Sequence, residues 1–169
     1  MIANNLNVTL GQPHFYIKIG DQSDFTNLLW DCIKVNNNIK LIAKLVRGTK
    51  CNTVEKLFDE FSAVLQFPWY FGENWDAFEE CINDLGWFNA DAYVIFISNS
   101  ESLLELTNKN LDTFLNILKT TTYEWEKGRD FGAMKTSPTP FNIVFHGTGS
   151  KEQEIIVRFR EVGINLERL

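Results

Sequence analysis

Five carboxylates fall within one short stretch of this sequence, FPWYFGENWDAFEECINDLGW (67–87): Glu73, Asp76, Glu79, Glu80 and Asp84. No Lys, Arg or His interrupts it, and three of the chain's five tryptophans lie in it. Carboxylates at this density suit two kinds of chemistry. A pair can divide acid and base roles in hydrolysis, as in glycosidases. A fixed array can instead grip arginines and lysines of another molecule through charge-assisted hydrogen bonds. The first use needs one carboxyl held protonated, and Asp76 and Glu80, one helical turn apart on an exposed face, have no such environment. No substrate cleft is implied, so a hydrolase is set aside and the chain reads as a non-enzyme. Trp69 and Tyr70 favour the second use, because aromatics with polar tips beside carboxylates are a common grip for Arg and Lys.

The elements that position these groups follow from spacing. Over residues 74–85, Trp75, Phe78, Ile82 and Leu85 recur at three and four residues and turn to a core. Glu73, Asp76 and Glu80 share another face; Asn83 and Asp84 extend it, and Glu79 lies at its margin. Asp76 is favoured by the helix dipole, whereas Glu80 and Asp84 repel their neighbours at four-residue spacing. Local stability therefore does not account for the acidic face. Ahead of the helix, PWYFG makes a rigid turn, in which Pro68 fixes one dihedral and Gly72 is expected at positive φ.

Elsewhere the pattern alternates strands and helices. HFYIKI (14–19) alternates as a strand, and Phe25, Leu28, Leu29 and Cys32 follow at helix spacing, with Asp24 as N-cap. Residues 39–46 read as a strand closed by Gly48. A helix through Val54, Leu57, Phe58, Phe61 and Leu65 follows, capped by Asn52 with Glu55 three residues on. AYVIFIS (92–98) is a continuous apolar run, as expected of a strand covered on both faces. Leu111, Phe114, Leu115, Leu118 and Trp125 mark a long helix capped by Asn110, GRDFGAMKTSPTP (128–140) reads as a loop, and FNIVFHG as a third strand. Ile155, Ile156 and Phe159 place a last helix that Gly163 ends. Alternation of this kind predicts a small α/β domain, a three-stranded parallel sheet with helices packed on it, over residues 37–169. Residues 1–36 form an N-terminal extension of one strand and one helix, packed on that domain. Trp30 and Trp125 are expected in the core.

Composition narrows the function classes. The chain has 169 residues, 44% of them hydrophobic, with a net charge of −6 and a pI near 4.9. That suits a core of one domain and a basic partner, and argues against direct nucleic-acid binding. The longest apolar run, AYVIFI, is far short of the ~20 residues of a membrane span. The opening MIANNLNVTLG lacks the charged and apolar regions of a secretory signal. Cys32, Cys51 and Cys81 are odd in number and scattered, which points to reduced, buried thiols in a cytoplasm. His14 and His146 complete no metal-ligand spacing with them, so no metal and no cofactor is expected. HGTGSK (146–151) lacks the spacing of a phosphate-binding loop and reads as a connecting turn.

The motif of Tyr70, Phe71, Gly72, Glu73, Asn74, Asp76 and Ala77, preceded by Pro68, resembles the signature of the barstar family, intracellular inhibitors of secreted bacterial ribonucleases. The likeness extends over the element order from about Ile39 onward, and residues 1–36 have no counterpart in the short members. It implies an immunity protein of a toxin–antitoxin kind, sufficient as a monomer, that occludes a basic nuclease with its loop and acidic helix, residues 68–84. The resemblance carries roles onto Tyr70, which would stack in the nuclease site, and onto Asp76 as an inhibitory aspartate. Glu80 stands where the family has its main phosphate-mimicking aspartate, one methylene longer. Glu79 stands where it has an interfacial tryptophan, and Thr120 falls near its acidic residue on the next long helix. Trp87 lies near a family tryptophan that follows the acidic helix. The contact set so implied is Trp69, Tyr70, Gly72, Glu73, Asn74, Asp76, Glu79, Glu80 and Asp84. A domain that kept this fold but bound something other than a nuclease is the alternative, and burial of Asp76 and Glu80 in internal ion pairs would favour it.

Overall fold

A computed structural model describes residues 6, 8–11, 14–105, 109–131 and 134–169. Five parallel strands form one sheet, β1 (Phe15–Ile19), β2 (Leu41–Arg47), β3 (Ala92–Ser98), β6 (Phe141–Gly147) and β7 (Glu167–Arg168), in the order β2-β3-β6-β1-β7. The helices are α1 (Gln22–Val35), α2 (Val54–Leu65), α3 (Trp75–Asp84), α4 (Lys109–Lys127) and α5 (Glu152–Glu161). A small antiparallel pair, β4 (Arg129–Phe131) and β5 (Met134–Thr136), stands apart from the sheet.

Alternation along the strands sorts the core into two faces. Tyr16, Val94, Phe96 and Val144 cluster with Phe25, Leu28, Leu29 and Cys32 of α1 and with Leu6 and Val8. Ile17, Ile95, Ile97, Ile143 and Phe145 meet α2, α3, α4 and α5 on the other side. β3 and β6, buried along their whole length, are the apolar runs that a sheet covered on both faces requires.

The α/β class and the order of elements from β2 onward follow the expectation, but the sheet does not have three strands. β1 is an interior strand between β6 and β7, in register Phe15 with Ile143 through Ile19 with Gly147, and the C-terminal residues add β7 at the edge. Parallel pairing over so long a separation leaves no local signal. His146, as a strand-end residue, ties three strand ends together. Its Nδ1 accepts from the Asn99 amide at 3.2 Å, its Nε2 donates to the Gly20 carbonyl at 3.0 Å, and its ring stacks on Phe25.

Several local expectations shift. Asp21, not Asp24, caps α1, accepting from the Asp24 amide at 2.8 Å. Thr53, not Asn52, caps α2, accepting from the Lys56 amide. Asn110 lies inside α4, after its first residue. The segment read as a loop carries the β4–β5 hairpin. Trp125 is buried as expected, whereas Trp30 is 56% exposed, on the solvent side of α1. The three cysteines are buried and free, and burial pushes the Cys51 thiol up to about 12 and those of Cys32 and Cys81 up to about 11. No helix among the described residues is long and apolar enough to cross a membrane, and no cluster of metal ligands occurs among them.

Two outcomes test this architecture. Ile17→Ala removes a fully buried side chain from the interior strand β1 and is expected to cost about 2–5 kcal/mol in urea unfolding. A change of a few tenths would mean that β1 is dispensable. At the other edge, Glu60 takes the backbone amide, Nε and Nη2 of Arg47 at 3.0, 2.8 and 2.7 Å. The guanidinium holds its carboxyl below the ordinary glutamate value of about 4.5. The depressed folded value means that the stabilisation is full above about pH 4.5 and fades as pH falls through the folded pKa. Wild type should therefore lose stability more steeply with acid than Glu60→Gln, as read from midpoints at pH 7 and pH 3.

Candidate partner-binding site

α2 ends at Gln66 in the left-handed region, and the chain then turns back on itself. The Phe71 amide donates to the Pro68 carbonyl at 2.9 Å, closing a four-residue turn. Phe67 and Phe71 stack edge-on at 5.1 Å, and Phe71 also meets Phe58. With its two ends anchored, the turn holds Trp69 and Tyr70 outward, 96% and 61% exposed, their rings edge to face at 5.9 Å.

The expected positive φ falls on Glu73 (φ 50°) rather than on Gly72. Gly72 serves close approach instead: a Cβ there would stand 3.1 Å from Asn74 Nδ2 and 3.6 Å from the Ala77 methyl. Asn74 caps α3, its Oδ1 accepting from the Ala77 amide at 2.9 Å while its Nδ2 donates to the Gly72 carbonyl. Gly72 and Asn74 thus shape the turn that presents the other residues.

The inward face of α3 is as expected. Phe78 is fully buried among the rings of Phe58, Phe61, Phe67 and Phe114, and Trp75 meets Phe58 at 4.9 Å. On the outer face Glu73, Asp76 and Glu80 are exposed, and Glu79 and Asp84 are half-buried. Asn83 does not extend this face. It is buried, and its carbonyl accepts from Arg129 Nη2 of the hairpin. Trp87 packs on Phe67 and donates its indole N–H to the Leu65 carbonyl at 2.9 Å, so it braces the base of α3. Thr120 is exposed on α4.

Some carboxylates of the chain are held in ion pairs, and others, such as Asp24, Glu55 and Asp59, are in none among the described residues. Glu60, Asp112, Glu126, Glu152 and Glu154 each pair with Arg or Lys, or in the case of Glu126 with His14, at 2.5–3.0 Å. Among the described residues none forms an ion pair with Glu73, Asp76, Glu79, Glu80 or Asp84. The condition that would have favoured the alternative, internal pairing of Asp76 and Glu80, is not met.

Sequence reasoning missed Arg129 and Lys135. Both line an open groove of about 820 Å³ that starts at Tyr70, Glu80 and Asp84 and runs to the hairpin. Lying some fifty residues downstream, in a segment rich in Gly and Pro, they gave no local sign of belonging here.

The sequence matches the profile described as Barstar (barnase inhibitor) over residues 43–145, which is more than half of the chain. The chain belongs to the barstar family. No curated protein matches it. Among solved structures, the ORC2 protein of Aeropyrum pernix in its ADP form is similar in fold, with a TM-score of 0.64 and 9% identity. The likeness covers 94% of this chain but only 42% of that one, and at such identity it speaks to fold alone.

Asn74→Ala should lower stability by about 1 kcal/mol through loss of the cap. Faster hydrogen exchange at the first-turn amides of α3 is the local readout. Unchanged exchange there would mean that the turn is set by its aromatic anchors alone.

Proposed function

We propose that this barstar-family protein inhibits a basic ribonuclease or nuclease toxin by occluding its active site. The turn at 68–73 and the outer face of α3 form the plug. The observation that carries the reading is the row of unpaired carboxylates, Glu73, Asp76, Glu79, Glu80 and Asp84, beside the outward rings of Trp69 and Tyr70. A nuclease cleft supplies the missing bases, because it must bind phosphate with Lys, Arg and His. Tyr70 and Trp69 offer stacking faces for guanidinium groups.

The cognate enzyme is distinct from barnase. Glu80 reaches one methylene further than the aspartate of the family pattern, and Glu79 replaces an aromatic with a charge. The protein acts in the bacterial cytoplasm as an immunity protein, as a monomer and without a cofactor. Residues 37–169 form the inhibitor unit, and residues 1–36 are an extension whose strand β1 completes the sheet.

A nucleotide-binding role by analogy with the ADP form of ORC2 gains no support. Helix N-termini after a parallel strand are where such folds take phosphate. Here the Asp21 carboxylate occupies that end of α1, bonded to the Ser23 hydroxyl at 2.6 Å and the Asp24 amide at 2.8 Å. The Ser23 hydroxyl, and then the Asp24 amide, hold its pKa below the usual carboxylate range, so it stays charged against an anion.

Affinity capture from the native cell's lysate and secretions should yield a basic nuclease whose RNA cleavage the protein blocks. Asp76→Ala with Glu80→Ala should weaken that complex by about 100-fold or more, with an unchanged circular-dichroism spectrum. A folded double variant that binds and inhibits as wild type does would overturn the reading.

A further inference from the structure

The groove beside α3 has two dissimilar walls. One is the helix, with Glu80 and Asp84, and Asp91 lies further along; the other is the hairpin and the irregular segment leading from it, Lys135 to Thr139. Tyr70 stands at the mouth and Tyr93 and Trp125 form part of the lining. The hairpin wall is built into the fold. The Thr139 amide donates to the Trp125 carbonyl at 2.8 Å, and the Arg129 amide donates to Thr136 Oγ1 at 3.1 Å. Gly128, at φ +74°, sits so close to Thr136 and Pro138 that a Cβ would lie 2.7 Å from the Thr136 carbonyl oxygen. Arg129 fastens this wall to α3. Its side chain is only 12% exposed, and its guanidinium donates to the Asn83 carbonyl and pairs with Glu124 at 3.5 Å.

We propose that the β4–β5 hairpin is a second contact surface for the same partner, and that the groove receives a loop of that partner carrying Arg or Lys. The inference rests on the inhibitor reading and adds an element to it. Charge complementarity identifies the occupant. Both cations of the lining are already engaged by carboxylates outside it, Arg129 by Glu124 and Lys135 by Asp130 at 3.6 Å. Glu80, Asp84 and Asp91 have no ion pair among the described residues. The groove is also continuous with the candidate interface through Tyr70 and Glu80, so a nuclease seated on α3 reaches it without a second docking event. The hairpin thereby selects partners whose basic cleft is flanked by a basic loop.

The probe is an octa-arginine peptide, titrated into the full chain at about 150 mM salt so that only closely held charges contribute, and followed by amide chemical shifts. The expected result is perturbation at Glu80, Asp84, Asp91 and residues 135–139. Ser137→Lys, at an exposed position on the groove wall, should weaken the peptide by about fivefold with an otherwise unchanged spectrum. Shifts confined to residues 69–76, or full affinity in Ser137→Lys, would overturn the groove proposal and leave the inhibitor reading standing. No perturbation on the acidic face at all would count against both.

Discussion

The ring of Phe78 is the contact on which the candidate site depends. It lies fully buried between α2, α3 and α4, against Phe58, Phe61, Phe67, Trp75 and Phe114. A helix of ten residues is too short to hold itself in water, and α3 has four carboxylates on its outer side, of which Asp76, Glu80 and Asp84 oppose one another at four-residue spacing. Aromatic burial on the inner face supplies what the outer face withholds. Because Phe67 and Phe71 belong to the same set of rings, the turn with Trp69 and Tyr70 moves with α3 as one body. The turn and the outer face of α3 are thereby held on one frame.

The sheet sets where that body sits. α3 lies in the connection from β2 to β3, and α2 and α4, the helices that clasp it, bracket β3 in the chain. β1 and β7 lie at the opposite side of the sheet, away from α3. Their contribution is therefore to the scaffold: β1 pairs with the edge of β6 that β3 leaves open, and His146 binds the ends of β1, β3 and β6 through Gly20 and Asn99. The fold likeness to a chain outside the family at 9% identity fits this division, since a five-stranded parallel sheet with helices on both faces is a scaffold shared by unrelated functions.

What was legible in the sequence was local. The 3.6-residue spacing of Trp75, Phe78, Ile82 and Leu85 located α3 and its inner face, the unbroken apolar run AYVIFIS located β3, and FNIVFHG located β6. Pairing was not legible, because the partner of Phe15 is Ile143 and the partner of Arg129 is Thr136, and nothing in either short segment names the other. The same limit explains Asn83, which on a helical projection belongs with Glu80 but in the fold lies where Arg129 arrives from a distant segment. Gly72 shows a subtler failure. A glycine before a helix suggests a left-handed turn, yet that conformation falls on Glu73, and the glycine is needed for the room it leaves around Asn74 and Ala77.

The distribution of charge argues that the acidic face was not shaped for stability. A chain that pairs Glu60 with Arg47, Asp112 with Arg158 and Glu152 with Arg168 has the means to neutralise its carboxylates. On α3 it does not, and the nearest guanidinium, Arg129, is turned to the Asn83 carbonyl and Glu124 instead. Arg129 there satisfies an open carbonyl at the C-terminal end of α3, where a cation is also favoured by the helix dipole. It steadies the helix without cancelling the surface. Local rules that fail together at one place, while holding around it, are the mark of a surface kept for another molecule. In this chain the broken rules are like charges at four-residue spacing and a tryptophan left almost wholly in solvent. Cations set against the carboxylates, and a flat recess for the rings, are what would mend both.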